Sequence, residues 1–168
     1  MDAKPILVSV ARALREQGLE TVLIGNSAAA IQGAPVTTMD IDFMIRKTPA
    51  NIGKLKRLAA SLGAVMFTPF YPVSGLFRLS RDEDALQLDF MTTIHGVRSF
   101  NSLRSRAIEV DLDGEKIWVA GLVDIISSKR AADRPRDRAV LDVLEASLKK
   151  KAKEAHPGRG SGGPKKGE

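Results

Sequence analysis

Hydrophobic positions recur along most of the chain with two different periods. In 5–17 and 48–62 they return every three or four residues, which is typical of amphipathic helices. In 41–45 acidic and apolar residues alternate, which indicates a strand with one polar face. The patterns predict helices at 5–17, 27–32, 48–62, 122–132 and 136–150, and strands at 21–24, 41–45, 65–67, 76–79, 85–91, 107–112 and 116–119.

Turn and capping residues support several of these boundaries. Thr48 can cap a helix that begins with Pro49, and Asp113-Gly114 between two apolar runs is a strong hairpin signal. The order of elements is not a strict alternation of strands and helices. We therefore expect an α+β fold, with a mixed sheet and helices packed on one side of it.

The composition excludes several classes of protein. The chain has 168 residues, 43% of them hydrophobic, which suits one domain with a sizeable core. The absence of cysteine excludes disulfides, thiolate metal sites and a cysteine nucleophile. No apolar run approaches the roughly 20 residues of a membrane span, and the first residues lack the pattern of a secretory signal. We expect a cytoplasmic protein with no membrane partner.

The positive charge is concentrated at the end of the chain. The formal net charge is +6, yet 149–168 holds seven basic and two acidic residues, which leaves 1–148 close to neutral. That last segment contains no aromatic or large aliphatic residue, so we predict a folded domain over 1–148 and a disordered basic tail over 149–168. The tail could contact nucleic acid phosphates or serve only as a solubilising terminus.

A first candidate for chemistry is the run Gly25-Asn26-Ser27, between a predicted strand and a short helix. Glycine permits a tight turn and a close approach to a ligand, and the start of a helix favours anions. The two polar side chains could add hydrogen bonds to a phosphate. The same run would also serve as an ordinary strand-to-helix turn with a polar cap.

A second candidate is a set of three acidic residues in apolar surroundings. Asp40 and Asp42 are two apart, so on a strand they would share one face, and Asp89 lies in another predicted strand. Paired carboxylates are costly unless a cation neutralises them, and Mg²⁺ prefers such oxygen ligands. If the two strands are neighbours, the three carboxylates converge and could hold two metal ions. Taken singly, each acid could equally be a solvent-facing or turn residue.

Together these motifs resemble the nucleotidyltransferase superfamily with the polymerase-β-type fold. The resemblance rests on Ile24-Gly25-Asn26, thirteen further residues, Asp40-Ile41-Asp42-Phe43 and the later Asp89. The stretches around these motifs and 121–146 look like the small bacterial branch related to AbiEii-type toxins and minimal nucleotidyltransferases. Asn26 departs from the pattern, because it stands where the family has a second glycine or a serine.

The resemblance implies a metal-dependent enzyme that moves a nucleoside monophosphate from a nucleoside triphosphate to a hydroxyl. Asp40, Asp42 and Asp89 would be catalytic and would bind two Mg²⁺ ions, or Mn²⁺, while Asp89 would also help to deprotonate the acceptor. The nucleotide would contact Gly25, Asn26, Ser27 and Lys129, although Lys129 could instead belong to a solvated basic face. The acceptor could be a protein, an RNA or a small molecule, within a toxin–antitoxin or phage-defence system.

The alternative is a binding module on the same scaffold, which recognises a partner protein or nucleic acid without turnover. The body of the chain lacks the extra helical domain that larger relatives use to bind acceptors, and this keeps the alternative open.

Overall fold

The computed structural model describes residues 3–38, 40–68 and 75–156. Six α-helices and seven strands are found in that part of the chain. The helices are α1 (Ala3–Gln17), α2 (Gly25–Ile31), α3 (Pro49–Leu62), α4 (Phe100–Arg106), α5 (Leu122–Ala132) and α6 (Pro135–Ala155). The strands are β1 (Thr21–Ile24), β2 (Ile41–Ile45), β3 (Val65–Phe67), β4 (Leu76–Arg81), β5 (Leu86–Met91), β6 (Ile108–Leu112) and β7 (Glu115–Val119).

The seven strands form one mixed sheet in the order β3-β4-β5-β2-β1-β7-β6. β2 runs parallel to β5 and antiparallel to β1, and β4 runs antiparallel to β5. Helices α1 and α3 pack together, whereas α2 packs on β1 and β2 and also contacts α5, which packs on α6. The predicted α+β fold with a mixed sheet is confirmed.

The core fixes β2 beside β5. Phe43 on β2 and Phe90 on β5 are fully buried, and their rings stack with centroids 5.2 Å apart. Such a pair adds about 1 kcal/mol beyond its buried area. Because side chains alternate along a strand, this apolar pair leaves the neighbouring positions of both strands, Asp42 and Asp89, for the opposite face.

Local signals set most helix boundaries as expected. The Thr48 side chain accepts a hydrogen bond from the backbone of Asn51, Pro49 begins α3, and Gly63 ends it in the left-handed conformation. Helix α4 was not expected from the pattern, since it has only seven residues. It forms because the Ser99 side chain caps Ser102 and because Phe100 and Leu103, three residues apart, are both buried.

The end of the folded region differs from the expectation. The prediction of a disordered segment from residue 149 is wrong for 149–155, because α6 continues to Ala155. Lysine, alanine and glutamate are good helix formers, and a residue added to an existing helix has no nucleation cost. Lys151 also donates a hydrogen bond of 3.0 Å to the side chain of Gln32. The rest of the predicted tail, 157–168, lies outside the described residues.

No helix in the described part of the chain is both long and apolar enough to cross a membrane.

Candidate active site

Four neighbouring strands place one residue each at the same level of the sheet. Arg78 on β4 is paired with Asp89 on β5, Asp89 with Asp42 on β2, and Asp42 with Ile24 on β1. Directly paired residues have side chains on the same face. We call these four residues the cross-strand row. The row meets the condition set by the sequence analysis, that the strand of Asp42 and the strand of Asp89 are neighbours.

The chain turns sharply where β1 ends. Gly25 follows Ile24 of the row directly and begins α2 with a φ of 68°, which is in the left-handed region. A Cβ at this position would lie 3.1 Å from Oδ2 of Asp42. The glycine therefore allows both the turn and the close approach of the backbone to the carboxylate.

Asn26 and Ser27 hold the loop that leads into β2. The Asn26 amide donates to the carbonyl of Thr37 at 3.4 Å, while its Oδ1 is buried with no hydrogen-bond partner in the described structure. The Ser27 hydroxyl is buried and donates to the carbonyl of Asp40 at 3.2 Å. Thr38 donates to the same carbonyl at 2.6 Å. Ser27 thus fixes the position of Asp40 and does not line the cavity described below.

Asp40 and Asp42 lie beside the glycine turn. Asp40 immediately precedes β2 and Asp42 is its second residue, so only Asp42 belongs to the strand proper. Burial raises the pKa of Asp42 to about 6, and the carboxylates of Asp89 and Asp40 add to the increase. The positive charges of Lys129 and Arg136 oppose it. No hydrogen bond to the Asp42 carboxylate is found within the described residues, so this half-buried acid is influenced by charges of both signs but accepts no hydrogen bond there.

The third acid is paired with an arginine that the sequence reasoning missed. Arg78 donates two hydrogen bonds to Asp89, from Nε to Oδ1 at 2.8 Å and from Nη2 to Oδ2 at 2.9 Å. The Asp89 side chain is 9% exposed and the Arg78 side chain 42%. From the sequence, the alternation along β4 could have predicted that Arg78 lies on a polar face. Its partner, however, is revealed only by the register of β4 against β5.

Lys129 reaches the site from α5 and is held by a buried acid on α6. Its Nζ lies 3.6 Å from Oδ1 of Asp137, and their side chains are only 13% and 2% exposed. Burial lowers the pKa of Lys129, and the nearby charge of Arg134 adds to this effect. Arg134 also donates to Asp137 from Nε at 2.6 Å. Asp137 is almost fully buried, so Lys129 does not belong to a fully solvated basic face.

One cavity of about 680 Å³ connects these groups. The predicted residues Gly25, Asn26, Asp40, Asp42, Asp89 and Lys129 all line it. Further polar lining residues are Arg78, Thr93, His95, Asp124, Ser128, Arg134, Arg136 and Asp137. The cavity therefore has charges of both signs on both sides. The strand side carries Asp40, Asp42, Asp89 and Arg78, and the helix side carries Lys129, Arg134, Arg136, Asp124 and Asp137. Such a mixed lining suits a ligand that carries both phosphates and a bound cation.

The donor set fits a divalent cation at Asp40 and Asp42. Both offer carboxylate oxygens, which Mg²⁺ prefers, and burial with the neighbouring carboxylates raises the pKa of Asp42, so a bound cation would favour its charged form. Asp89 is different, because Arg78 already neutralises it. Within the described residues, no group of three or more acidic or histidine side chains is arranged to hold a metal ion.

Similar folds occur in two antibiotic-modifying enzymes. The structure of ANT(2'')-Ia in complex with adenylyl-2''-tobramycin superimposes with a TM-score of 0.64 at 16% identity, over 92% of this chain and 94% of that one. The lincomycin-bound lincosamide antibiotic adenylyltransferase LnuA superimposes with a TM-score of 0.61 at 13% identity, over 88% and 98%. At such low identities the similarity concerns the fold. No curated protein sequence matches the chain.

The sequence itself matches a family model over almost the whole described region. This family model is described as "Nucleotidyl transferase of unknown function (DUF2204)", and it matches residues 3–156. That range includes every residue of the cross-strand row, Gly25 and the Lys129–Asp137 pair. The motifs predicted a nucleotidyltransferase, and the chain belongs to this nucleotidyltransferase family.

Proposed function

We propose that this protein transfers a nucleoside monophosphate from a nucleoside triphosphate to a hydroxyl group of an acceptor, with the help of divalent cations. The observation that carries the proposal is the cavity itself. Asp40 and Asp42 face it from the strands beside the glycine turn, and Lys129 faces it from α5. If a triphosphate with a bound cation entered this cavity, the cation would lie near Asp40 and Asp42, and the phosphates would lie near Lys129.

Each residue then has a distinct role. Asp40 and Asp42 would hold Mg²⁺ or Mn²⁺, which neutralises the triphosphate and supplies charge stabilisation during transfer. Gly25 lets the phosphates approach the backbone, and Asn26 lies at the same end of the cavity. Lys129 would contact the departing phosphates, because a buried cation is most effective where negative charge accumulates.

The reaction exchanges one phosphorus–oxygen bond for another. The acceptor oxygen attacks the α-phosphorus, the bond from that phosphorus to the bridging oxygen breaks, and pyrophosphate leaves. The hydroxyl proton must pass to a base, and a carboxylate oxygen of Asp89 would accept it once the hydrogen bonds from Arg78 are broken. A second cation at Asp89 requires that carboxylate to leave Arg78.

The direct test is a label-transfer assay. The protein is incubated with each nucleoside triphosphate labelled at the α-phosphate, with Mg²⁺ or Mn²⁺, and with cell extract, RNA or small polyols as acceptors. Asp42→Asn should reduce transfer about 100-fold or more, since it removes a charge at the reacting centre. Asp142→Asn, an exposed acid on α6 outside the cavity, is the matched control and should transfer like the wild type.

The assay also separates the enzyme from the binding module. The wild type could transfer no label, while Asp42→Asn still binds a partner. That result would contradict the proposed transferase activity and favour the binding module. The labelled product identifies the acceptor, which is the first step in testing the toxin–antitoxin or phage-defence role that the family resemblance implies. A cytoplasmic location fits this proposal, since nucleoside triphosphates are available there.

A further inference from the structure

The ion pair at one end of the cross-strand row controls the third carboxylate. Asp89 offers two oxygens, and Arg78 donates to both of them. A bidentate pair of this type is among the stronger side-chain interactions. A cation that approached Asp89 in this arrangement would also be repelled by the guanidinium. As long as the pair persists, Asp89 is a weaker ligand than Asp40 or Asp42.

Arg78 is the partner that can move. Its side chain is 42% exposed, whereas that of Asp89 is 9% exposed and fixed within the sheet. Arg81 on the same strand offers a contrast, because it binds Asp84 and also donates to the carbonyl of Leu62 at the end of α3. Within the described residues, Arg78 donates to Asp89 alone. Its departure therefore breaks no link to another element.

The charges of the row change when Arg78 leaves. With the pair intact, the positive charge of Arg78 offsets one of the three negative charges at Asp40, Asp42 and Asp89. Without it, all three carboxylates can offer their oxygens to the same cavity, and three carboxylates can hold two divalent cations.

We propose that Arg78 is a positioning residue that keeps Asp89 out of the cation site until substrate and cation together displace it. The proposal rests on the proposed function and adds an order of events to it. Asp40 and Asp42 bind the first cation, and Asp89 becomes available only when its bond to Arg78 is broken. In the free enzyme, Asp89 is therefore not available as the third cation ligand.

The test titrates Mn²⁺ into the full-length protein without nucleotide. Binding is measured by calorimetry and by the EPR signal of free Mn²⁺. Arg78→Gln should bind Mn²⁺ about tenfold more tightly than the wild type, because two charge-assisted hydrogen bonds no longer compete for Asp89. Adding Asp89→Asn should return the affinity to within about twofold of the wild type, since the two residues act as one unit.

Arg136→Gln is the matched control. Arg136 lines the same cavity and carries the same charge, but it has no ion-pair partner among the described residues. Its loss should change Mn²⁺ affinity by less than about threefold, because its exposed charge acts on Asp42 only through a screened Coulomb interaction and it donates no hydrogen bond to a carboxylate within the described residues. An equal gain in Arg78→Gln and Arg136→Gln would overturn the proposal, as would a gain that survives Asp89→Asn.

A second variant covers the case in which Arg78→Gln does not fold. Arg78→Lys keeps the charge and the aliphatic stem but loses the two-bonded fork, so it should give a smaller gain of the same sign. No gain in either variant would also overturn the proposal. Mn²⁺ binding is measured without nucleotide transfer, so the result does not depend on catalytic activity. Asp42→Asn tests the cation site itself, because this variant should lose the Mn²⁺ binding that the wild type shows.

Discussion

At the scale of single residues, the site depends on one backbone conformation beside one carboxylate. Gly25 has a positive φ, and the space that a side chain would need is filled by Oδ2 of Asp42. An alanine there would have a strained backbone and would press on the acid. The neighbouring Gly33 also has a positive φ of 91°, but a Cβ there would meet no atom within 4 Å.

Comparing Gly25→Ala with Gly33→Ala should therefore separate the effect of backbone strain, which both variants have, from the crowding of Asp42, which only Gly25→Ala causes. Each should lower the free energy of unfolding by about 1 kcal/mol, the cost of a non-glycine residue with positive φ. Only Gly25→Ala should also reduce nucleotide binding, because it displaces Asp42. Urea unfolding and equilibrium nucleotide binding measure the two effects. Equal nucleotide binding by both variants would contradict the role of Gly25.

Asp42 should make stability depend on pH in a specific window. Its pKa is about 6 in the folded protein, against 3.8 for the ordinary value. Between these values the folded state binds more protons than the unfolded state, so the contribution of Asp42 to stability falls as the pH rises from about 4 to 6. Above that window the burial of its charge costs about 3 kcal/mol, at 1.36 kcal/mol per pKa unit.

Asp42→Asn should remove this cost. At pH 7 its free energy of unfolding should exceed that of the wild type by up to about 3 kcal/mol, and at pH 4 the two should be nearly equal. Chemical unfolding at both pH values measures the difference, with Asp142→Asn as the exposed control. A stability gain that is the same at pH 4 and pH 7 would show that the charge of Asp42 is not its cause.

At the scale of elements, the contact between α5 and α6 positions the helix side of the cavity. Asp137 on α6 pairs with Lys129 on α5 and with Arg134 at the start of α6. The hydrogen bonds and charge of Arg134, with the charge of Lys129, outweigh burial and lower the pKa of Asp137. The two helices are thus joined by a buried acid that orients Lys129, a residue that lines the cavity.

Asp137→Asn should weaken both the fold and the nucleotide site. It leaves a largely buried Lys129 without its counter-charge, so we expect a loss of about 2 kcal/mol in stability and weaker nucleotide binding. Asp133→Asn is the matched control on the α5–α6 connection. Asp133 is 67% exposed and pairs with Arg138, so its loss should change stability by less than about 0.5 kcal/mol. Similar effects in both variants would contradict the buried role of Asp137.

The sequence revealed the acids of the site and the glycine turn, because these depend on short patterns. Asp40, Asp42 and Asp89 were recognisable as acids in apolar surroundings, and Gly25 as a turn residue after a strand. Arg78 could not be identified in the same way, since its role follows from how β4 pairs with β5. Helix α4 was missed because seven residues with a side-chain cap do not establish a clear period.

At the scale of the whole molecule, positive charge accumulates along the last turns of α6. Lys149, Lys150 and Lys153 are exposed there, while Lys151 is linked to Gln32. The cluster lies on the helix that also carries Asp137, which places an ordered basic surface where a disordered tail was expected. If the acceptor is anionic, this surface is available to attract it.

Replacing Lys149, Lys150 and Lys153 by glutamine tests that surface. If the acceptor is RNA, the variant should bind single-stranded RNA more weakly, and the slope of log affinity against log salt should decrease by about 2. Binding of nucleoside triphosphate should be unchanged, because none of the three lysines lines the cavity. Loss of nucleotide binding in this variant would contradict the separation of the two surfaces.

The pairing of Arg78 with Asp89 also has a consequence for how the chain folds. β4 and β5 are joined by a three-residue 3₁₀ turn, Asp82–Asp84, so their hairpin is local and can form early. β2 is more distant in sequence and brings Asp42 directly against Asp89. An arginine already bound to Asp89 neutralises that acid before the second one arrives. The same ion pair that delays cation binding in the finished protein would thus ease the docking of β2 during folding.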